Sequence, residues 1–188
     1  MDKESIRTAF KEKRRALSKE EIRLFSEKIS DYLFQYLKEY DAIKHIHLFL
    51  PIDRFHEVDT FPLYYTLQSK GYRIYTSVVN KLKDNLETLD ISGVDQFESD
   101  PWGIPVPVNA KLVDPDEIQM VLIPLLAYDR RGFRLGYGKG YYDKYLASLK
   151  RNVIKIGLSF FEPLDYIPDE SHDIPLDYCI RPDGILKF

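Results

Sequence analysis

The chain has 188 residues, 44% hydrophobic and 30% charged, with a net charge of −3. That balance gives one globular domain over residues 1–188 and excludes wholesale disorder. No apolar run approaches the ~20 residues of a membrane span, and the acidic balance argues against a nucleic-acid binder. The opening Met1–Ser5 resembles no signal peptide, and the single cysteine, Cys179, allows no intrachain disulfide, so a cytoplasmic protein is expected. Nothing in the sequence calls for an obligate protein partner. The charge is unevenly spread: Lys3, Arg7, Lys11, Lys13, Arg14 and Arg15 crowd the start, and acidic residues from Glu162 to Asp183 crowd the end.

The first fifth reads as two helices. Ile6, Phe10 and Leu17 give a thin apolar stripe on the basic segment. Ser18 and Glu21 then form a capping box, followed by Ile22, Phe25, Ile29, Leu33 and Leu37 at helical spacing. Residues 44–50 read as a strand ended by Pro51. Residues 60–69 read as a helix stopped by Gly71. Residues 72–79 and 86–91 read as strands, and the proline-laced 101–107 as an irregular, stiff loop. Residues 120–126, almost wholly apolar, suit a strand buried on both faces. A glycine-rich turn at 132–140 leads into a helix carrying Tyr142, Leu146 and Leu149. Residues 153–159 and 178–181 complete the strands. Strands alternating with helices predict a three-layer α/β/α sandwich with a mainly parallel central sheet, preceded by the two N-terminal helices.

The sharpest chemical signal is Arg134-Leu135-Gly136-Tyr137-Gly138-Lys139-Gly140-Tyr141-Tyr142-Asp143. It follows a buried strand and opens a helix. Three alternate glycines permit a tight turn, and free N–H groups at a helix start suit a phosphate. Arg134 and Lys139 add positive charge, and Asp143 falls in the first helical turn, where it could meet a metal ion. The spacing fits neither a Walker A loop nor the G-x-G-x-x-G fingerprint. A glycine pattern alone would be a turn; glycines, two cations and a carboxylate at one strand–helix junction favour phosphate binding. Lys3 and Arg7 share a helix face and could clamp a polyphosphate, although such a pair is usually a solvated surface. Glu57 follows the first strand, where open α/β sheets bind ligands, with Asp59 or Thr60 available as a helix cap. Asp173, beside His172, could be a second magnesium ligand. His45 and His47 lie on one strand face without an evident third ligand and read as packing.

On these residues the chain resembles the 5-formyltetrahydrofolate cyclo-ligase family, also called 5,10-methenyltetrahydrofolate synthetase. The R-x-G-x-G-x-G-Y-Y-D signature at 134–143 matches in full. Lys3 with Arg7, Glu57 to Thr60, Trp102 to Pro105, Asp129 to Gly132, and His172-Asp173 follow in the expected order; Val106 departs where relatives are often polar. The resemblance implies ATP-dependent closure of 5-formyltetrahydrofolate to 5,10-methenyltetrahydrofolate. It implies that Lys3, Arg7 and Arg134 through Tyr142 (Arg134, Leu135, Gly136, Tyr137, Gly138, Lys139, Gly140, Tyr141, Tyr142) bind ATP, with Arg134 and Lys139 supplying catalytic charge. Glu57, Trp102 and Tyr142 would contact the folate, and Asp143 and Asp173 would hold Mg²⁺. A sugar-phosphate isomerase on a similar fold and a non-catalytic reduced-folate binder are the alternatives.

Overall fold

The computed structural model describes residues 1–101 and 103–188. Two helices open the chain, α1 (Lys3–Arg15) and α2 (Lys19–Glu39). Ser18 Oγ accepts from Glu21 N at 3.2 Å while Glu21 Oε2 accepts from Ser18 N at 2.8 Å, the expected capping box. There follow β1 (His45–His47), α3 (Phe61–Ser69), β2 (Arg73–Asn80), β3 (Asn85–Asp90), β4 (Phe97–Ser99), β5 (Pro105–Pro107) and β6 (Lys111–Leu112). The second half holds β7 (Met120–Pro124), β8 (Ala127–Tyr128), β9 (Arg134–Leu135), α4 (Tyr141–Ser148), β10 (Ile154–Leu158), β11 (Tyr178–Arg181) and β12 (Gly184–Lys187).

Among the described residues, eight strands form one sheet in the order β12-β11-β10-β7-β1-β2-β3-β6. The five from β11 to β2 are parallel; β12, β3 and β6 join antiparallel at the edges. The apolar run in β7 makes the layering explicit. Met120 and Leu122 enter one core with α2 and α3, which also holds Ile29, Leu33, Leu63 and Leu67. Val121 and Ile123 enter a second core with Tyr145 and Leu146 of α4. Period-2 alternation sends consecutive residues to opposite faces, so a strand covered on both must be apolar throughout. The α/β/α sandwich follows. Helix α1 stands outside the layers, packing Ile6 and Phe10 against Leu126, Ala127 and Leu135.

Residues 101–107 are not irregular throughout: Pro105–Pro107 pairs antiparallel with Phe97–Ser99. Prolines are tolerated there because this two-stranded ribbon is all edge. Helix α3 ends at Ser69, before Gly71, and begins at Phe61 with Thr60 at the N-cap position but without a side-chain cap bond; of the two suggested caps only Asp59 accepts from an N–H of the helix start. Asp59 Oδ1 accepts from Phe61 N at 3.0 Å, and the Thr60 hydroxyl donates to Phe49 O at 2.6 Å.

Strand order fixes where a ligand can sit. From β1 the chain moves to β2 on one side, and from β7 it moves to β10 on the other. The gap between the neighbouring carboxyl ends of β1 and β7 is therefore the topological switch point, the usual crevice of an open α/β sheet. Glu57 follows β1, the glycine loop follows β7 and β9, and Asp173 follows β10, so all three predicted segments leave the same edge.

Candidate active site at the carboxyl edge of the sheet

The glycine loop is reached through a buried carboxylate. Asp129 is fully buried and accepts from the main-chain N–H groups of Arg131, Phe133 and Ile167, and from the Arg131 guanidinium at 2.8 Å. Those bonds close a tight turn and aim β9 back along β8. After it, Gly138 (φ 94°) and Gly140 (φ 65°) are left-handed. Gly140 caps α4 without any side-chain hydrogen bond, so the first-turn N–H groups of the helix face outward. A methyl group at Gly136 or Gly140 would meet nothing within 4 Å, whereas at Gly138 it would press on the Arg7 guanidinium at 3.2 Å.

Helix α1 lies against this loop. Arg7 Nε donates to Gly136 O at 3.2 Å and Nη1 to Glu4 at 3.1 Å. Lys3 Nζ donates to Glu170 at 2.9 Å and Asp173 at 3.0 Å. The structure thus brings Lys3, Arg7, the loop and Asp173 together, and gives Lys3 carboxylate partners that the sequence did not suggest. Lys139 is exposed and has no hydrogen bond or ion pair among the described residues.

Two loop residues are placed differently from expectation. Leu135 turns into the apolar core and its carbonyl accepts from Leu126 N at 2.8 Å, so its side chain lines no ligand surface. Arg134 is not a free cation. It is nearly buried, its Nη1 donates to Ile174 O, and its Nη2 pairs with Asp143 Oδ1 at 2.9 Å. Burial pulls its pKa down against the pull of Asp143. The two segments 134–143 and 173–174 are stitched by the same carboxylate, since Asp143 Oδ1 also accepts from Ile174 N at 3.0 Å.

That stitching bears on magnesium. Asp143 and Asp173 end up on adjoining segments, and both offer hard oxygen donors of the type Mg²⁺ takes. No group of three or more His, Cys, Asp or Glu residues is set to hold a metal among the described residues. Two carboxylates suffice for an ion whose remaining ligands are phosphates and water, so the pair fits.

Glu57 lies beside Tyr137, whose hydroxyl it engages. It is 6% exposed and lines a cleft of about 470 Å³ together with His56, Phe61, Phe97, Lys19 and Arg23. Its Oε2 accepts from Ile52 N at 2.9 Å. Burial pushes its pKa above the ordinary carboxylate value, opposed by Arg14, the Ile52 N–H and the Tyr137 hydroxyl. Tyr142 also senses this charge, and its phenol is pushed up chiefly by burial and then by Glu57. Trp102, expected as a wall of the cleft, lies outside the described residues.

Sequence reasoning missed Arg14 and Phe55. Arg14 is 3% exposed, and Phe55 stacks on Tyr137 with centroids 4.7 Å apart. The signal for Arg14 was present: Ile6, Phe10 and Arg14 stand four residues apart, and they are the buried residues of α1. His45 and His47 do pack, as expected. His47 Nε2 bonds Ser77 Oγ at 2.6 Å under Tyr145, and burial pushes its pKa down to about 3.

Comparison with known proteins identifies the family. A family model described as the 5-formyltetrahydrofolate cyclo-ligase family matches residues 1–182. The 5-formyltetrahydrofolate cyclo-ligase of Mycoplasma pneumoniae is 30% identical over 182 residues, covering 96% of this chain and 99% of that protein. The Mycoplasma genitalium counterpart is 28% identical over 181 residues, covering 96% and 98%. Among solved structures, a 5,10-methenyltetrahydrofolate synthetase from Mycoplasma pneumoniae superposes with a TM-score of 0.79 at 30% identity, covering 97% of this chain and 99% of that one. The Aquifex aeolicus synthetase gives 0.82 at 30% identity, covering 100% and 93%. Fold and relatives together define a ligase of folate metabolism on an α/β/α sandwich. The chain belongs to the 5-formyltetrahydrofolate cyclo-ligase family, which closes 5-formyltetrahydrofolate to 5,10-methenyltetrahydrofolate with ATP as co-substrate. That settles the choice against the isomerase and the non-catalytic binder.

Proposed function

We propose that the Glu57 cleft seats the pterin of 5-formyltetrahydrofolate and that the loop from Arg134 to Tyr142, with Lys3 and Arg7, seats the phosphates of ATP. The observation that carries this reading is Tyr137. It belongs to the glycine loop, yet its hydroxyl meets Arg14 and Glu57, and Glu57 lines the cleft. Two ligands held on either side of one residue are close enough to react. The cleft volume lies within the roughly 300–1,000 Å³ of small-molecule sites. A carboxylate at its inner end can accept two N–H bonds from a pterin edge.

The substrate's formyl oxygen is a poor leaving group, which is the chemical reason for ATP. That oxygen attacks the γ-phosphorus, a P–O bond forms, and the bond to ADP breaks. N10 then attacks the activated carbon, loses its proton to water or phosphate, and the phosphate departs with its oxygen, leaving the methenyl bridge. No protein nucleophile is required; alignment and charge stabilisation dominate such transfers. The main-chain N–H groups at the start of α4 and the Lys139 ammonium face the phosphates, and Arg7 steadies the loop through Gly136 O. Arg134 acts by holding Asp143. Asp143 and Asp173 would hold Mg²⁺, which neutralises phosphate charge when bound. The reading also keeps the protein in the cytoplasm, with Cys179 a buried core thiol.

The test is purified protein with Mg-ATP and 5-formyltetrahydrofolate, following methenyl absorbance and ADP. One ADP and one phosphate per methenyl product is the expected result. Product without ATP, or ATP hydrolysis uncoupled from folate, would sink the reading.

A further inference from the structure

We propose that Arg14 is the positioning residue of the folate subsite: its guanidinium, fixed between the Leu125 carbonyl and the Tyr137 hydroxyl, sets both the place and the negative charge of Glu57. The inference rests on the assignment of Glu57 to the pterin. Lys13 and Arg15, its neighbours in the basic start of the chain, are exposed, whereas Arg14 points inward. A buried guanidinium is costly unless its donors are met. Here Nη2 donates to Leu125 O at the carboxyl end of β7, and Nη1 donates to Tyr137 Oη at 3.0 Å. The same Nη1 stands 4.0 Å from Glu57 Oε1, too long for a direct bond, so Tyr137 bridges, accepting from Arg14 and donating to Glu57. The Arg14 carbonyl accepts from His56 Nδ1 at 3.0 Å, which ties the preceding loop to the same helix end.

A carboxylate offers about four acceptor sites. Ile52 N–H and Tyr137 O–H take two, leaving two for the N–H donors of a ligand in the cleft. That arrangement serves only while Glu57 is an anion, because a protonated acid places an O–H where a donor must arrive. The other groups around it do not secure the charge. Asp53 and Asp59 from its own loop and Glu98 from β4 are carboxylates and bring no positive charge, and His56 turns its Nδ1 to the Arg14 carbonyl. Lys19 and Arg23 from α2 are exposed cations at the cleft mouth, and Tyr142 faces it from α4 as a neutral phenol. Arg14 is the buried cation within reach.

The experiment titrates binding of 5-formyltetrahydrofolate, without nucleotide, by calorimetry from pH 5.5 to 9. Wild type, Arg14→Met, Arg14→Lys and Glu57→Gln are compared. An opposite charge at this range lowers a carboxylate pKa by about 1–3 units. In Arg14→Met the midpoint of the binding profile should therefore rise by that amount. The loss of affinity should be largest at the acid end of the range and recover toward pH 9. Arg14→Lys should stay within about half a pH unit of wild type. A constant offset at every pH in Arg14→Met would make Arg14 merely architectural and overturn the proposal. Glu57→Gln should bind weakly at all pH values; if it binds like wild type, the pterin assignment fails whatever Arg14→Met does. Should Arg14→Met not fold, Tyr137→Phe removes the bridge while keeping the ring stacked on Phe55. It should shift the midpoint the same way by a smaller amount, and no shift would overturn the proposal.

Discussion

Replacing Gly138 with alanine tests the glycine loop on two properties at once. Gly138 has φ 94°, and an added Cβ would lie 3.2 Å from Arg7 Cζ and 3.3 Å from Nη2. The first cost is left-handed strain, about 1–2 kcal/mol for a residue with a side chain. The second is Arg7, which must shift and loosen its bond to Gly136 O, about 1 kcal/mol for a partly exposed contact. The sum, about 2–3 kcal/mol, corresponds to a fall in Tm of roughly 5–10 °C for a chain this size. Gly140→Ala supplies the contrast, since φ is 65° and the new Cβ meets nothing within 4 Å. It should lose only the strain, roughly 2.5–7 °C, and so less than Gly138→Ala. If phosphate occupies the open space over Gly140, both variants should raise the KM for ATP about tenfold or more, measured at saturating folate by methenyl absorbance. Differential scanning fluorimetry supplies the Tm values. Equal stability losses in the two variants would remove Arg7 as the wedge. An ATP KM within twofold of wild type in both would refute the loop as the phosphate seat.

Other expectations follow from the same geometry. Lys139→Ala removes an exposed cation with no ion pair among the described residues, so ATP KM should rise about ten- to a hundredfold, the equivalent of ~1.5–3 kcal/mol, while the melting curve stays put. Asp143→Asn should raise the Mg²⁺ concentration needed for activity and also lower Tm, because the nearly buried Arg134 loses its counter-charge; an unchanged Mg²⁺ requirement with a lower Tm would make Asp143 a partner of Arg134 only. Glu57→Gln should weaken folate binding without lowering Tm at pH 7. The raised pKa of Glu57 means that the folded state holds its proton more tightly than the unfolded chain does. Stability is therefore present below the ordinary value of 4.5 and is lost as pH rises toward the folded pKa, a loss the glutamine avoids. A variant much less stable than wild type at pH 7, with no convergence in acid, would contradict that sign.

What could be read in the sequence divides along the range of the interactions. The apolar stripe and capping box of α2, and the all-apolar β7, are local patterns, and both elements stand where the spacing put them. β6, β8 and β9 are two residues each and exist because a distant strand offers them a partner, which no local pattern records. The proline-rich β5 hid for the same reason. The site repeats the division. Residue types in the 134–143 signature were sufficient to name a phosphate loop, since a helix start after a strand is itself local. Their partners were not legible. Lys3 finds Asp173 across 170 positions, and Arg134 turns inward to Asp143 because β9 enters the loop from the core side. The opposed charges at the two ends of the chain were visible from the start; the fold converts part of that imbalance into the Lys3–Glu170–Asp173 cluster beside the glycine loop. Arg14 is the instructive omission. Its period from Ile6 and Phe10 put it on the apolar stripe, and a cation on an apolar stripe requires a buried partner. Only the switch point between β1 and β7, which draws the Glu57 loop and the glycine loop over the end of α1, determines which partner that is.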